Sequence, residues 1–129
     1  MKLLLDTHVL LWALLEPQKL SPALRNSLED SDNTLVVSAA SAWEIATKWR
    51  LGKLQHAQSV VENYAMALHR LAAVDLPISG AVARRAGLWE VPHRDPFDRL
   101  LAAQAMADDL VLASTDPVFA QFEGVVTLR

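Results

Sequence analysis

Several acidic side chains occupy positions from which a carboxylate could do chemistry. The segment HRDPFDRLLAAQA at residues 93–105 places Asp95 and Asp98 directly before a long run rich in alanine and leucine. Asp95 is a favourable N-cap, and Pro96 suits the first helical position because its missing N–H is not needed there. Asp98 then meets the positive end of the helix. The two aspartates predict a helix start, and this pattern alone leaves open whether they also take part in catalysis.

Three more acids lie close to the ends of apolar runs. Asp6 ends the run at residues 3–5, and Asp116 follows the LVLAS run at residues 110–114. Glu44 lies early in a helix that follows the LVVS run. For Glu44 alone, the simpler interpretation is an exposed side chain with Lys48 as its partner four residues further on.

Carboxylates that converge in a fold repel one another unless a cation lies between them. Two carboxylates about 5 Å apart repel by roughly 3 kcal/mol at an effective dielectric of about 20, whereas a helix cap stabilises by only about 1 kcal/mol. An all-oxygen site suits Mg²⁺ or Mn²⁺, and such an ion activates water for attack on a phosphodiester. Convergence of these acids would therefore predict a metal-dependent nuclease.

The elements that must position these acids alternate between strand and helix. Strands separated by helices indicate a parallel sheet covered on both faces, in which ligands bind beyond the carboxyl ends of the strands. This arrangement places Asp6 and Asp116 at one edge of the sheet. No strand closely precedes Asp98, so the pattern alone does not place it. Strands are predicted at residues 3–5, 35–38, 72–78, 110–114 and 125–128, and helices at 9–15, 21–30, 39–52, 57–71, 79–88 and 95–108.

Length and composition favour a single domain over residues 1–129, with 52% hydrophobic residues to build its core. The chain has no cysteine, which excludes a thiolate metal site and a disulfide framework. Its net charge of −3 offers no general attraction for a polyanion, so any nucleic acid must be bound by a local basic surface. The apolar start is interrupted by Asp6 and His8 and is shorter than the roughly 20 residues of a bilayer span, so we expect a cytoplasmic protein with no membrane contact.

Four segments, in order along nearly the whole chain, resemble a known family. They are LLLDTHVLLW, SAASAWEIATKWRLGKL, HRDPFDRLLAAQA and LASTDPVF, and they are similar to the motifs of PIN-domain ribonucleases, in particular the VapC-like toxins of toxin–antitoxin pairs. The resemblance implies an α/β fold with three layers, α/β/α, around a parallel five-stranded sheet. It also implies that the metal-binding and catalytic acids are Asp6, Glu44, Asp98 and Asp116. Asp95 is then mainly the helix cap, or a side chain that contacts one of the metal ligands.

The resemblance implies roles for neighbouring side chains as well. Thr7 and Thr115 could hold a water or a phosphate through their hydroxyls, although a threonine beside an aspartate more often bonds only to nearby backbone. His93 is expected beside the acids, in contact with one of the metal ligands. Arg99 either binds RNA phosphate or pairs with a carboxylate of the protein. The basic rim expected to contact RNA consists of Arg84, Arg85, Arg94 and Arg99.

These inferences predict a Mg²⁺-dependent endoribonuclease that acts as a toxin, with Mn²⁺ as a substitute ion. Hydrolysis by an activated water would leave 3′-hydroxyl and 5′-phosphate ends. The expected partners are RNA, a cognate antitoxin and a second copy of the chain, with the antitoxin groove on the helices of residues 7–30 and 39–70. The tryptophans are expected in the core or at interfaces rather than as base-stacking residues. They are Trp12, Trp43, Trp49 and Trp89.

Three other interpretations compete with this one. A metal-free acid–base pair could be drawn from His8, His56, His69 and His93, but no spacing brings two of them together. An aspartyl phosphotransferase would need a second Asp two residues after Asp6, where His8 stands. A non-catalytic partner-binding domain, whose acids only cap helices, predicts RNA that stays intact in the presence of Mg²⁺.

Overall fold

Five short strands form one sheet in which every neighbouring pair runs parallel. The computed structural model describes residues 1–129. The strands lie in the spatial order third, second, first, fourth, fifth, so the first strand is central and the predicted parallel five-stranded sheet is confirmed. The third, fourth and fifth strands along the chain are each shorter than predicted. The strands are β1 (Lys2–Leu5), β2 (Thr34–Ser38), β3 (Val74–Leu76), β4 (Val111–Ala113) and β5 (Thr127–Leu128).

Seven α-helices connect the strands, with short 3₁₀ turns at Pro17–Lys19, Gln55–Ala57 and Pro117–Gln121. The helices are α1 (Thr7–Leu15), α2 (Pro22–Glu29), α3 (Ala39–Arg50), α4 (Gln58–Glu62), α5 (Tyr64–Arg70), α6 (Gly80–Leu88) and α7 (Pro96–Ala107). The single helix predicted over residues 57–71 is wrong in one respect. Asn63, with φ −131° and ψ 49°, leaves the helical conformation and separates α4 from α5. No helix combines the length and the apolar character that crossing a bilayer requires.

The sheet separates two apolar clusters, because successive side chains of a strand point to opposite faces. Leu3 and Leu5 of β1 belong to a cluster of 14 buried residues that includes side chains of α1 to α5. Leu4 belongs to a second cluster of 9 buried residues, which includes Leu101 of α7 and Phe119. Helices therefore cover both faces of the sheet, and the expected three-layer α/β/α architecture is confirmed.

Tight strand-to-helix junctions bring α1 and α3 to the carboxyl edge of the sheet. Asp6 alone separates β1 from α1, and its side chain accepts a hydrogen bond from the amide of Thr7. β2 runs directly into α3, where the Ser38 hydroxyl accepts from the amide of Ala40. The predicted cap of α7 is also present: Asp95 is its N-cap, and α7 packs against both α3 and α6. The acids of α3 and α7 are thereby brought towards the end of the central strand.

Candidate active site

Asp6 is held at the end of the central strand by hydrogen bonds to both of its carboxylate oxygens. Its amide donates to the carbonyl of Ala113 at 3.0 Å, which continues the pairing of β1 with β4. Oδ1 accepts from the Thr7 amide at 2.7 Å, and Oδ2 accepts from the Ser114 hydroxyl at 2.6 Å. Burial raises the pKa of this carboxyl group in spite of the Ser114 hydrogen bond, and the charge of Glu44 raises it further. The side chain is therefore fixed in one orientation in an unfavourable place for a charge.

Glu44 brings a second carboxylate to the site from α3. The residue is 4% exposed, so the exposed position of the simpler interpretation is wrong. The ion pair with Lys48 is present, with Nζ 2.5 Å from Oε2. The other oxygen, Oε1, is buried and has no hydrogen-bond partner in the protein. A buried carboxylate oxygen without a partner is costly, and this atom is therefore available to a ligand.

Asp98 brings a third carboxylate from the first turn of α7. Its Oδ2 lies 2.8 Å from Nε2 of His93. Burial raises the pKa of Asp98 to about 6, against the lowering effect of the His93 hydrogen bond. The negative charges of Asp95, Asp6 and Glu44 add to the increase. The packing of α7 against α3, with Trp43 in contact with Phe97, places Glu44 and Asp98 in the same region as Asp6, close enough for their charges to affect one another.

Asp116 lies at the margin of this group and is exposed. Its Oδ1 accepts from the Val118 amide at 3.0 Å and so caps the 3₁₀ turn that follows. Its amide donates at 3.0 Å to the Ser114 hydroxyl, which in turn donates to Asp6. The backbone of Asp116 is thus linked to the buried acids, whereas its carboxylate serves as a helix cap.

Three other predicted neighbours of the acids have different surroundings. Thr7 is buried, and its hydroxyl donates to that of Ser41 at 3.1 Å, so its proton is used within the protein. Thr115 is exposed. Asp95 caps α7 as predicted, because its Oδ1 accepts from the amides of the second and third helical residues at 2.8 and 3.1 Å.

Arg99 bonds to backbone carbonyls and not to a carboxylate. Its Nε donates to the carbonyl of Ala86 at 2.8 Å. Its Nη1 donates to the carbonyls of Val91 at 3.0 Å and His93 at 2.8 Å. Its Nη2 donates to the carbonyl of Trp89. The guanidinium therefore binds the end of α6 and the loop between α6 and α7. The expected ion pair of Arg99 with a carboxylate is wrong. The guanidinium is also not free to contact RNA as a member of the basic rim, because its donors are used within the protein.

The other three arginines of the expected basic rim have solvent-exposed side chains. Arg84, Arg85 and Arg94 are all exposed. The Arg85 guanidinium lies over the ring of Trp89, 5.3 Å from its centroid, which fixes this side chain on α6. The rim therefore has three members instead of four, and its contact with RNA stays a prediction.

Two contributors to the site are missed by the sequence analysis. The strand pattern marks Ser114 only as the end of the LVLAS run, and its one signal is its position just before Asp116. Lys48 is identified only as the partner of Glu44. Burial lowers the pKa of Lys48, but its hydrogen bond to Glu44 and the charges of Glu44, Asp95 and Asp98 raise the pKa overall. Lys48 is therefore a cation that pairs with Glu44 and is also affected by the charges of Asp95 and Asp98.

The donor set fits a hydrated divalent cation. The structure contains no group of three or more His, Asp or Glu side chains placed to hold one ion directly. Mg²⁺ commonly binds proteins through one or two carboxylates and keeps several of its waters, so a closed protein cage is not needed. A cation would satisfy Oε1 of Glu44 and favour the ionised forms of Asp6 and Asp98, whose pKa values are raised. These three residues are the ones that would hold it.

Comparison with known sequences identifies a family and a relative. Residues 3–125 match the family model of the PIN domain. Ribonuclease VapC22 from Mycobacterium tuberculosis (strain ATCC 25618 / H37Rv) is 33% identical over 113 residues, which span 88% of this chain and 85% of that protein.

Solved structures share the fold at lower identity. VapBC2 from Rickettsia felis, bound to a promoter DNA fragment, has a TM-score of 0.70 and 17% identity, covering 99% of this chain and 98% of its own. DNA-bound VapBC from Salmonella typhimurium has a TM-score of 0.69 and 16% identity, covering 99% and 97%. FitAcB from Neisseria gonorrhoeae has a TM-score of 0.62 and 21% identity, covering 98% and 96%. The likeness to these structures shows the fold, and the sequence matches show that this chain belongs to the PIN-domain family, among its VapC-like members.

Proposed function

We propose that this chain is a divalent-metal-dependent endoribonuclease that acts as the toxin of a toxin–antitoxin pair. The observation that carries the proposal is the buried oxygen of Glu44 without a partner, on a helix that packs against α7 with Asp98 and lies beside the end of β1 with Asp6. Helix capping accounts for the hydrogen bond that Asp6 accepts from the Thr7 amide, but not for the one from Ser114 or for the burial of Glu44, which caps no helix. A cation site would account for the orientation of Asp6 and for the burial of Glu44. The PIN-domain match and the likeness to Ribonuclease VapC22 support the same activity.

The residues of the site have distinct parts in the proposed reaction. Bound Mg²⁺ lowers the pKa of water and neutralises charge that develops on the phosphate. Ser114 holds Asp6 and His93 holds Asp98, so that two carboxylates are already oriented before the substrate arrives. Oε1 of Glu44 is the oxygen able to accept a hydrogen bond from the attacking water.

The proposed hydrolysis forms one bond to phosphorus and breaks another. The water oxygen bonds to the phosphorus, the bond from phosphorus to O3′ breaks, and O3′ takes up a proton. The products are a 3′-hydroxyl end and a 5′-phosphate end. We place the exposed carboxylate of Asp116 at the margin of the site, where it would support the cation less directly than the buried acids, because its backbone is tied to Ser114 beside Asp6.

The proposed partners are RNA, a cognate antitoxin and a second copy of the chain, in the cytoplasm. The structural neighbours from Rickettsia felis and Salmonella typhimurium are VapBC assemblies bound to DNA, which supports an antitoxin partner. Size-exclusion chromatography with light scattering tests self-association. A mass that stays at the 14.2 kDa of one chain over the accessible concentration range would contradict a homodimer.

Incubation with total RNA tests the activity. Wild-type protein, Asp98→Asn and Asp32→Asn are each compared with Mg²⁺ and with EDTA, where Asp32 serves as an exposed control acid. We expect the wild type and the control to cut RNA only with Mg²⁺, and Asp98→Asn to cut at least roughly 100-fold more slowly. A 5′-phosphate-dependent exonuclease should then degrade the fragments. Intact RNA with the wild type, as a non-catalytic domain predicts, or equal rates for Asp98→Asn, would refute the proposal.

A further inference from the structure

Two aromatic side chains flank the acids without belonging to either core cluster. Trp43 directly precedes Glu44 on α3, and Phe97 directly precedes Asp98 on α7. Their ring centroids are 4.7 Å apart and their planes meet at 77°, which is an edge-to-face contact. Neither ring is part of the apolar clusters that cover the two faces of the sheet. Trp43 and Phe97 are called the aromatic pair below.

The indole of Trp43 is open to solvent and yet restrained. Trp43 is 56% exposed, whereas Phe97 is half-buried. The other three tryptophans are half-buried. Trp43 differs from them in its exposure, so of the two predicted locations, core or interface, the core does not apply to it. A tryptophan side chain has only two torsions, and contact with Phe97 limits them further. A ligand that stacks on this ring would therefore lose little affinity to side-chain ordering.

We propose, on the basis of the function proposed above, that the aromatic pair is a stacking site for an unpaired RNA base beside the phosphate that is cut. A phosphate drawn to a cation at Glu44 and Asp98 would bring its nucleotides close to the neighbouring residues Trp43 and Phe97, whose rings are in contact. Aromatic stacking adds affinity without positive charge, which suits a chain of net charge −3. A base can stack only when its face is free, so the aromatic pair selects single-stranded RNA.

A protein partner is the competing occupant of this exposed ring. The aromatic pair favours RNA because it is continuous with the acids: α3 and α7 each carry one aromatic residue and one acid at adjacent positions. A substrate that reaches the acids in each turnover therefore comes close to the aromatic pair. A protein that covered Trp43 would block that substrate, so it could occupy the ring only while the protein does not cut RNA.

Binding of single-stranded RNA with and without bases tests the proposal. The first probe is a fluorescein-labelled RNA dodecamer of mixed sequence, and the second is a dodecamer of equal charge built from abasic tetrahydrofuran spacers. Both are titrated with wild type, Trp43→Ala, Trp43→Phe and the control Met66→Ala, in Ca²⁺ instead of Mg²⁺, so that the site can still hold a cation while cleavage is suppressed. Met66 is a residue of α5 with a similar exposure of 60%. Fluorescence anisotropy reports the dissociation constants.

The proposal predicts a loss that depends on the bases. Trp43→Ala should bind the RNA dodecamer about 10-fold more weakly than the wild type, and Trp43→Phe should fall between them because it keeps a smaller aromatic face. Met66→Ala should bind like the wild type. All four proteins should bind the abasic probe equally, because its phosphates meet the same charges in each of them.

Several results would overturn the proposal. Equal RNA affinity of wild type and Trp43→Ala would contradict the stacking site and would favour a protein as the ligand of the exposed ring. A wild type that binds no RNA dodecamer would have the same consequence. An equal loss on both probes would show that Trp43 does not act through the bases. Cleavage with Mg²⁺ separates the two proposals. A wild type that cuts no RNA refutes the nuclease itself, whereas cutting with the same KM in Trp43→Ala refutes only the stacking site.

Discussion

At the scale of single residues, the ionisation of Asp98 opposes folding. Its pKa is raised from 3.8 to about 6, mainly by burial. The folded protein therefore holds a proton on this carboxyl group more readily than the unfolded chain does. Ionisation of Asp98 causes no loss of stability below about pH 4. The loss grows between about pH 4 and pH 6 and stays constant at higher pH. At neutral pH without a cation, the site is thus a source of instability.

Asp98→Asn should stabilise the metal-free protein, because asparagine keeps the shape and removes the buried charge. We expect the free energy of unfolding to rise by about 1–3 kcal/mol at about pH 7.5, and by less at about pH 5. Urea denaturation in EDTA at both pH values measures the difference. Mg²⁺ should then stabilise the wild type but not the variant. An Asp98→Asn protein that is no more stable than the wild type at the higher pH would contradict this prediction.

Ser114→Ala tests the residue that links Asp6 to the backbone of Asp116. The change removes a donor 2.6 Å from Oδ2 of Asp6 and an acceptor for the Asp116 amide. The free energy of unfolding should fall by about 1–3 kcal/mol, because a buried polar atom loses its partner. The pKa of Asp6 should rise further, as seen by NMR titration of its carboxyl carbon, since this hydrogen bond lowers it. Ser31→Ala, at an exposed position, is the control, and equal effects of the two changes would disprove the link.

At the scale of elements, one side chain holds the loop between α6 and α7. The Arg99 guanidinium donates to carbonyls of the last turn of α6 and of the loop, among them that of His93. Carbonyls in the last turn of a helix have no partner within the helix, so Arg99 meets a need that the helix end creates. His93 in turn contacts Asp98. Order in this loop therefore reaches the acidic site.

Arg99→Lys should loosen this loop although the charge is kept. An ammonium group cannot replace a planar guanidinium that donates to four separate carbonyls. We expect the free energy of unfolding to fall by about 1–3 kcal/mol. Amide hydrogen exchange of residues 89–95 should be faster in the variant. Arg84→Lys, at an exposed position of α6, should behave like the wild type, and protection of the loop that survives in Arg99→Lys would count against this account.

Two glycines at helix ends should respond to alanine in opposite directions. Gly52 follows α3 with a φ of 78°, in the left-handed region, whereas Gly87 lies in the last turn of α6. An added Cβ would meet nothing within 4 Å at either position, so only the backbone differs. Gly52→Ala should lower the free energy of unfolding by about 1 kcal/mol, and Gly87→Ala should raise it by about 0.5–1 kcal/mol. Thermal unfolding of both variants measures this, and shifts of the same sign would contradict it.

At the scale of the whole molecule, the proposed function requires an acidic chain to bind a polyanion. The net charge is −3, and Arg99 is not available to the basic rim because its guanidinium is used within the protein. The remaining exposed rim consists of Arg84, Arg85 and Arg94. RNA affinity should therefore rest on few charge contacts, supplemented by the metal site and by stacking.

The salt dependence of RNA binding should reveal a rim of three charges. If each exposed arginine neutralises one phosphate, the logarithm of the association constant should fall with the logarithm of salt concentration with a slope of about −2. Arg94→Glu should weaken binding and make this slope shallower, whereas Arg70→Glu, at an exposed position of α5, should change both much less. A slope of about −3 or steeper would require more contacts than the rim provides. A slope unaffected by Arg94→Glu would remove this residue from the interface.

Local patterns were sufficient for the strands, the helix starts and part of the site. The alternation of apolar runs with helical spacing predicted the parallel sheet, and Asp95 with Pro96 predicted where α7 begins. The position of Asp6 at the end of β1 follows in the same way. These features depend on the backbone preferences of a few adjacent residues, and such preferences can be read from a short stretch of sequence. The acids of the site were named through the motifs of the family.

Tertiary packing decided what those patterns could not. No strand precedes Asp98 closely, and it reaches Asp6 and Glu44 only because α7 packs against α3. The spacing of Glu44 and Lys48 is compatible with an exposed or a buried helix face. Arg99 could equally bind a phosphate, a carboxylate or backbone carbonyls. By itself the sequence determined the elements and their caps, because these depend on neighbours in the chain. The burial of Glu44, the mutual effects of the acidic charges and the exposure of Trp43 depend on which elements meet in space. Only the tertiary structure therefore determines them.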